Sequence, residues 1–179
     1  MSSDPSSNHQ LRLMTASDLE NVLKLRNHPE VRRYMLTQHE ISIEEHTLWF
    51  DRASHNKSIR LLIFEVDKVC MGFVQLKKTC DSGVANWGFY LKPDAPKGIG
   101  RKLGNATLTR AFEEENFHKI CGQTLADNQR SINFHKSLGF SQEYILHQHF
   151  VGKKYHDLIC FGLLKSKWSK FKKDKGTAG

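Results

Sequence analysis

The sequence predicts one α/β domain of the α+β kind, a mixed and mostly antiparallel central sheet flanked by helices. Three observations carry this. Apolar runs of strand length alternate with capped, helix-period segments in the order β-α-α-β-β-β-α-β-α-β-β, so parallel pairing is open only across the helical crossovers. The stretch Ala85–Gly104 reads as strand, glycine-punctuated turn and helix start. The 179 residues contain no internal repeat and no linker, and a chain of this length buries a substantial core without staples. We place the domain at residues 10–165, with a disordered segment at 1–9 and a basic, flexible tail at 166–179.

Taken in order, residues 10–14 form a short strand. Ser17 and Glu20 make a capping box before a helix whose Leu19, Val22, Leu23 and Arg26 share a face. Pro29 stops that helix, because the residue before proline is pushed out of the helical region. Residues 30–36 give a further short turn of helix. A second box, Ser42 to Glu45, opens a helix through Trp49 to about Ala53. Residues 58–66 and 69–77 pair as a hairpin about Asp67–Lys68, and Asp81-Ser82-Gly83 turns the chain into the strand at 86–91. The helix that follows runs to Phe117. A strand at 119–125 leads to a helix at 130–138, closed by Gly139 with Phe140 as its apolar partner. Residues 144–150 and 154–164 close the domain as a hairpin about Gly152.

Composition narrows the function. Hydrophobic content of 39% and charged content of 26% belong to a soluble globule, and no apolar run reaches membrane-spanning length. The polar start has no apolar signal region, which points to the cytoplasm. Cys70, Cys80, Cys121 and Cys160 have no metal-type spacing, so they read as reduced structural thiols and no metal is expected. The net charge of +8 favours anionic partners, but part of it lies in the lysine-rich run 165–175. The folded body is therefore not strongly basic, which weakens nucleic acid as a partner.

The segment Lys97-Gly98-Ile99-Gly100-Arg101-Lys102 is a device for holding phosphate. Its glycines let backbone N–H groups approach an anion, the helix start presents unpaired donors, and Lys97, Arg101 and Lys102 add charge. A helix entry whose basic residues merely face solvent has the same pattern. Trp49, on the apolar face of a capped helix, fits a core position as well as a stacking platform.

PKGIGRKLG at 96–104 and ADNQRSINFHKSLGF at 126–140, standing in this element order, resemble the GNAT family of acyl-CoA N-acyltransferases over residues 11–164. The resemblance implies acetyl-CoA as co-substrate. The amides about Gly98, Ile99 and Gly100 would hold its pyrophosphate, the strand Phe89-Tyr90-Leu91 would follow its pantetheine arm, and Asn128, Ser131 and Phe134 would lie near the thioester. Two departures matter. Ala95 stands where the family usually has Gln or Arg. His135 stands where the family has the tyrosine that protonates the departing thiolate. His135 is thus the candidate catalytic acid, and it would need a neighbouring carboxylate to stay charged near neutrality.

Residues 25–32, 46–50, 87–91 and 156–168 look like one branch of that family, the N-acetyltransferases of pseudaminic acid biosynthesis. The branch implies a nucleotide-sugar acceptor, UDP-4-amino-4,6-dideoxy-N-acetyl-β-L-altrosamine, acetylated at its 4-amino group on the way to flagellin glycans. Arg26 and Arg32, with Arg33, would grip the diphosphate, Trp49 or Trp87 would stack on uracil, and Asn27 and His28 would complete the acceptor side. His28, Glu30, Glu45 and Gln123 are candidate bases, and none is singled out. Ribosomal-protein N-terminal acetyltransferases share much of the frame, and a non-catalytic acyl-CoA-binding module stays open. A homodimer is compatible with the sequence.

Overall fold

The computed structural model describes residues 8–79 and 83–176, with side chains as far as 172. The elements are β1 (His9–Leu13), α1 (Leu19–Asn27), α2 (Pro29–Arg32), α3 (Ile43–Ser54), β2 (Ile59–Val66), β3 (Val69–Lys78), β4 (Val84–Leu91), α4 (Ile99–Thr109), β5 (Lys119–Leu125), α5 (Gln129–Ser137), β6 (Ser141–Val151), β7 (Lys154–Leu164) and α6 (Lys165–Gly176). Of the expected disordered start at 1–9, His9 belongs to β1 and residues 1–7 lie outside the described residues, as do Cys80, the turn residues Asp81 and Ser82, and the last three residues.

The seven strands form one sheet in the order β1-β2-β3-β4-β5-β7-β6. All pairs are antiparallel except β4 with β5. The β2–β3 turn is tight because Asp67 and Lys68 both take positive φ, 50° and 65°. β2 shows why both faces are covered. Leu62 and Phe64 point to the layer of Leu103, Leu108 and Phe112 from α4 and its extension. Leu61 and Ile63 point the other way, to Val22 of α1 and Ala53 of α3.

Two local readings change. The first helix is capped by Thr15 and Asp18 around a 3₁₀ turn rather than by Ser17 and Glu20. Asp18 is chosen because Arg12 holds it at 2.8 Å while also pairing with Glu65, a bond that runs from β1 to β2. The basic end, expected as a solvated tail from 166, continues as α6. Its Trp168 is buried against Phe112, ring centroids 5.2 Å apart, which ties the helix to the core. Of the second capping box only half forms: Ser42 Oγ accepts from the Glu45 amide at 3.1 Å, while the Glu45 carboxylate turns to His39 at 3.0 Å; the Gly139 cap forms as expected, with φ of 91°.

Candidate active site

β4 and β5 pair in parallel only from Val84–Lys119 to Asn86–Cys121. Beyond that rung the strands part, although β4 continues to Leu91 and β5 to Leu125. The splay opens one continuous cleft of about 1130 Å³. One end lies under the α4 entry and α5, and the other lies between α1, α2, the following loop and α3. From Trp87 onward the edge of β4 that faces away from β3 has no strand beside it, so it offers backbone polar groups to the cleft.

At the first end, Lys97, Gly98, Gly100 and Arg101 line the cleft. Gly98 is the N-cap of α4 with φ of 93°, a left-handed conformation that favours glycine. A Cβ on Gly100 would lie 3.1 Å from Leu91 Cδ1 and 3.7 Å from Phe134 Cε2. The first-turn amides at Gly100 and Arg101 have no intrahelical carbonyl to bond. Backbone donors, two cations and a close approach between helix and strand fit a pyrophosphate. Ile99 is a correction: it is core, 6% exposed, its amide already bonds the Pro96 carbonyl at 3.2 Å, and it does not line the cleft. Lys102 is a correction: it faces a separate, smaller pocket with His9, Leu11 and Asn105 on the far side of α4.

Phe89, Tyr90 and Leu91 run along the cleft wall, and Asn128, Ser131 and Phe134 face them from the α5 side. Asn128 is occupied structurally, since its Oδ1 accepts the Ser131 amide at 3.1 Å and caps α5. Phe134 packs on Phe89 at 4.9 Å between ring centroids and stacks on Trp87 at 6.2 Å.

His135 does not have the geometry of an acid. It is 1% exposed and stacked on Phe161, with centroids 4.7 Å apart and planes 7° apart. Its Nδ1 donates to the Ser131 carbonyl at 2.8 Å, and its Nε2 accepts the Trp87 indole N–H at 3.1 Å. Both nitrogens are committed, and the tautomer is fixed by its partners. Burial lowers its pKa to about 4, against a smaller raising effect of the Ser131 carbonyl. The carboxylate that a charged imidazole would need is not among its contacts. Gly122 of β5 makes the arrangement possible, because a Cβ there would sit 2.5 Å from Trp87 Nε1 and 2.6 Å from His135 Nε2. Trp87 is therefore spent on His135 through its N–H, and its 6% exposure leaves little face for a nucleobase.

At the other end, Arg26 and Trp49 line the cleft as expected, but Arg32, Asn27 and His28 do not. Arg32 turns to Glu40 at 3.4 Å, and the next residue, Arg33, takes the place on the cleft wall. Asn27 clamps the α2–α3 loop: its amide donates to the Ile41 carbonyl at 2.8 Å and accepts the Ile41 N–H at 2.9 Å. His28 caps α2, its ring Nδ1 accepting the Glu30 amide at 3.3 Å. Of the candidate bases, Glu30, Glu45 and Gln123 border the cleft.

Arg26 is 9% exposed. Its Nη2 donates to the Thr37 carbonyl at 2.6 Å, and its Nη1 is buried without a partner. Desolvation holds its pKa below the usual arginine value. His46, which the sequence offers only as part of the segment 46–50, is 3% exposed, and its Nε2 is likewise buried without a partner. It stacks on Trp49 with centroids 5.0 Å apart. Burial lowers its pKa, which favours the neutral ring. The buried carboxylates, Asp18 and Glu65, are bound to Arg12 and do not line the cleft.

Residues 9–141 match the acetyltransferase (GNAT) domain family. Acetyltransferase PseH of Campylobacter jejuni serotype O:2 is 29% identical over 133 residues, spanning 72% of this chain and 80% of the relative. Spermidine N(1)-acetyltransferase of Escherichia coli K12 is 25% identical over 153 residues, 84% and 82% of the two chains. Among solved structures, the spermidine N-acetyltransferase of Vibrio cholerae in complex with CoA and spermine superposes with a TM-score of 0.83 at 25% identity. That match covers 90% of this chain and 98% of that one. With the splayed strands and the glycine cradle at the α4 entry, these matches show that the chain belongs to the GNAT acetyltransferase family and is an N-acetyltransferase with acetyl-CoA as co-substrate.

Proposed function

We propose that the acceptor is a UDP-linked amino sugar, UDP-4-amino-4,6-dideoxy-N-acetyl-β-L-altrosamine, acetylated at its 4-amino group in the pseudaminic acid pathway of the cytoplasm. The observation that carries this reading is Arg26. The buried charge of the acceptor end is positive, it has no carboxylate partner, and one of its donors points nowhere in the protein. Such a group is complementary to a neutral or anionic polar acceptor and repels a cationic one. Arg33 beside it adds a guanidinium able to pair a phosphate. The motif segments of the pseudaminic acid branch and the relatives named PseH support the same choice.

Acetyl-CoA supplies an acetyl thioester, and the chain's own residues do the positioning. One continuous cleft of about 1130 Å³ runs from the α4 entry to the acceptor end, with room for both substrates, which suits direct transfer in a ternary complex. The unpaired edge of β4 is where a backbone N–H would meet the developing oxyanion. His135 fixes Trp87 and gives no proton to the departing thiolate.

A polyamine acceptor is the second reading. The spermidine acetyltransferase relatives favour it, as do Glu30 and Glu45 at the cleft margin. Both carboxylates are solvent-exposed, and Glu45 is engaged by His39 at 3.0 Å. Purified protein with acetyl-CoA is offered the nucleotide sugar or spermidine, and product mass is followed. A gain of one acetyl group on the sugar at rates of order 1 per second upholds the proposal. Acetylation of spermidine alone overturns it.

A further inference from the structure

Glycine inside a strand weakens it, so each one calls for a physical reason. Among the described residues such glycines are Gly72 of β3, Gly88 of β4, Gly122 of β5 and Gly162 of β7. Packing explains Gly72, Gly122 and Gly162, because a Cβ on any of them would meet another atom closer than 3.0 Å. Gly88 has no such reason: a Cβ there would meet nothing within 4 Å. Its φ is not positive, and the β3–β4 register runs past it without a bulge, from Gly72–Leu91 to Lys78–Ala85. What is left is a place that something outside the fold approaches closely.

Side-chain alternation tells which face of the sheet is open there. Trp87 and Phe89 turn to Phe134 of α5. Tyr90 turns the other way and stacks on Phe73, which clusters with Val22 of α1 and Ala53 of α3. Gly88 shares the Tyr90 face and is exposed, so it opens towards the acceptor end of the cleft. Three side-chain amides surround it. Gln75 is directly opposite on β3, roughly 5 Å away between Cα atoms. Asn86 is two residues back on the same face of β4, about 7 Å away. Gln123 lies two residues beyond Cys121, the partner of Asn86, and so faces Gly88 across the splay. All three line the cleft, Asn86 and Gln123 exposed and Gln75 half-buried. None hydrogen-bonds the side chain or backbone of another described residue. Lys77, which pairs with Asn86 from β3, does not line the cleft.

We propose that Gly88 is a specificity-determining residue of the acceptor site. Its bare backbone seats the sugar ring, and Gln75, Asn86 and Gln123 bind the ring's hydroxyl and acetamido groups. A side-chain amide both donates and accepts, as those groups do, whereas an ammonium only donates and finds no opposite charge among the three. The seat adjoins the splay, so the ring atoms it contacts are those beside the reacting amine. Spermidine, a thin chain of methylenes and ammoniums, needs neither the width nor the amides. This inference rests on the nucleotide-sugar reading and names the residues that select for it.

The test uses the full chain and its variants Gly88→Ala and Gly88→Val. Melting temperature, acetyl-CoA affinity by calorimetry and kinetics with the nucleotide sugar are measured for each, and wild type is also offered spermidine. Both variants should melt at or above the wild-type temperature, since the added atoms meet nothing and replace a strand glycine. Both should bind acetyl-CoA as wild type does. For the sugar, kcat/KM should fall about tenfold in Gly88→Ala and about a hundredfold in Gly88→Val. Gln75→Leu, Asn86→Leu and Gln123→Leu should each raise KM for the sugar about fivefold, as one lost hydrogen bond between neutral groups implies. These three decide the matter if Gly88→Val does not fold. Unchanged sugar kinetics in Gly88→Val, or in all three leucine variants, overturn the seat and leave the functional reading standing. So does a loss of acetyl-CoA affinity equal to the loss for the sugar, which would put Gly88 on the thioester wall instead. Acetylation of spermidine alone by wild type overturns both.

Discussion

His135 shows how far one residue's role depends on what surrounds it. Its place in the second motif is plain in the sequence, but the burial that decides its chemistry comes from Phe161 and Gly122, on strands that the motif does not include. A pKa of about 4 in the fold, against about 6.5 unfolded, means that the unfolded chain binds a proton between those values while the native chain does not. Stability thus rises with pH across that window and is lost as pH falls from about 6.5 towards 4, by about 3 kcal/mol at the full shift. Urea unfolding at pH 7 and pH 5 should show a smaller loss in His135→Gln than in wild type. An equal loss in both would mean that His135 is not the proton acceptor. Gly122→Ala places a methyl against both Trp87 Nε1 and His135 Nε2, breaking their bond and overpacking the site. We expect a cost of about 2–4 kcal/mol in the unfolding free energy, read from urea denaturation. Nothing in the sequence around Gly122 signals this, because the contact that requires glycine comes from β4 and α5.

The α4 entry illustrates legibility at the level of an element. The glycine-punctuated turn after a strand was readable, because left-handed backbone and exposed helix-start amides are local properties that PKGIG states directly. The phase of the helix was not. Arg101 and Lys102 are one residue apart and so about 100° apart around the axis, which puts Arg101 in the cleft and Lys102 in the pocket behind it. Arg101→Ala should therefore raise KM for acetyl-CoA about tenfold, the effect shrinking in high salt, while Lys102→Ala should change it less than twofold. Similar effects from both substitutions would contradict the assignment of faces. The same problem explains Arg32, the last residue of α2, and Arg33, its C-cap: a four-residue helix is too short for periodicity to choose between them. It also explains Asn27, whose partner, Ile41, is fixed only once the loop has closed.

For the molecule as a whole, the element order fixed the sheet, because hairpins and helical crossovers leave few ways to close seven strands. The lysine-rich run after β7 departs from the flexible tail expected of it, since a run with little apolar content has the signature of a solvated terminus. One side chain decides otherwise. Trp168 is 6% exposed on Phe112, and Lys172 adds a cation–π contact at 4.8 Å and a pair with Glu113 at 3.1 Å. Large-to-small substitution at a buried tryptophan costs about 3–5 kcal/mol, so Trp168→Ala should lower the melting temperature by roughly 10 °C for a chain of this size. Lys172→Ala, an exposed pair, should change it by about 2 °C or less. The reason to measure both lies in what α6 touches: it follows β7, which pairs with β5 on the side away from the splay, and none of its described side chains lines the cleft. Trp168→Ala assayed well below its melting temperature should keep wild-type KM values for both substrates. A raised KM at that temperature would instead mean that the helix supports the splay of β4 and β5, and so helps to shape the cleft itself.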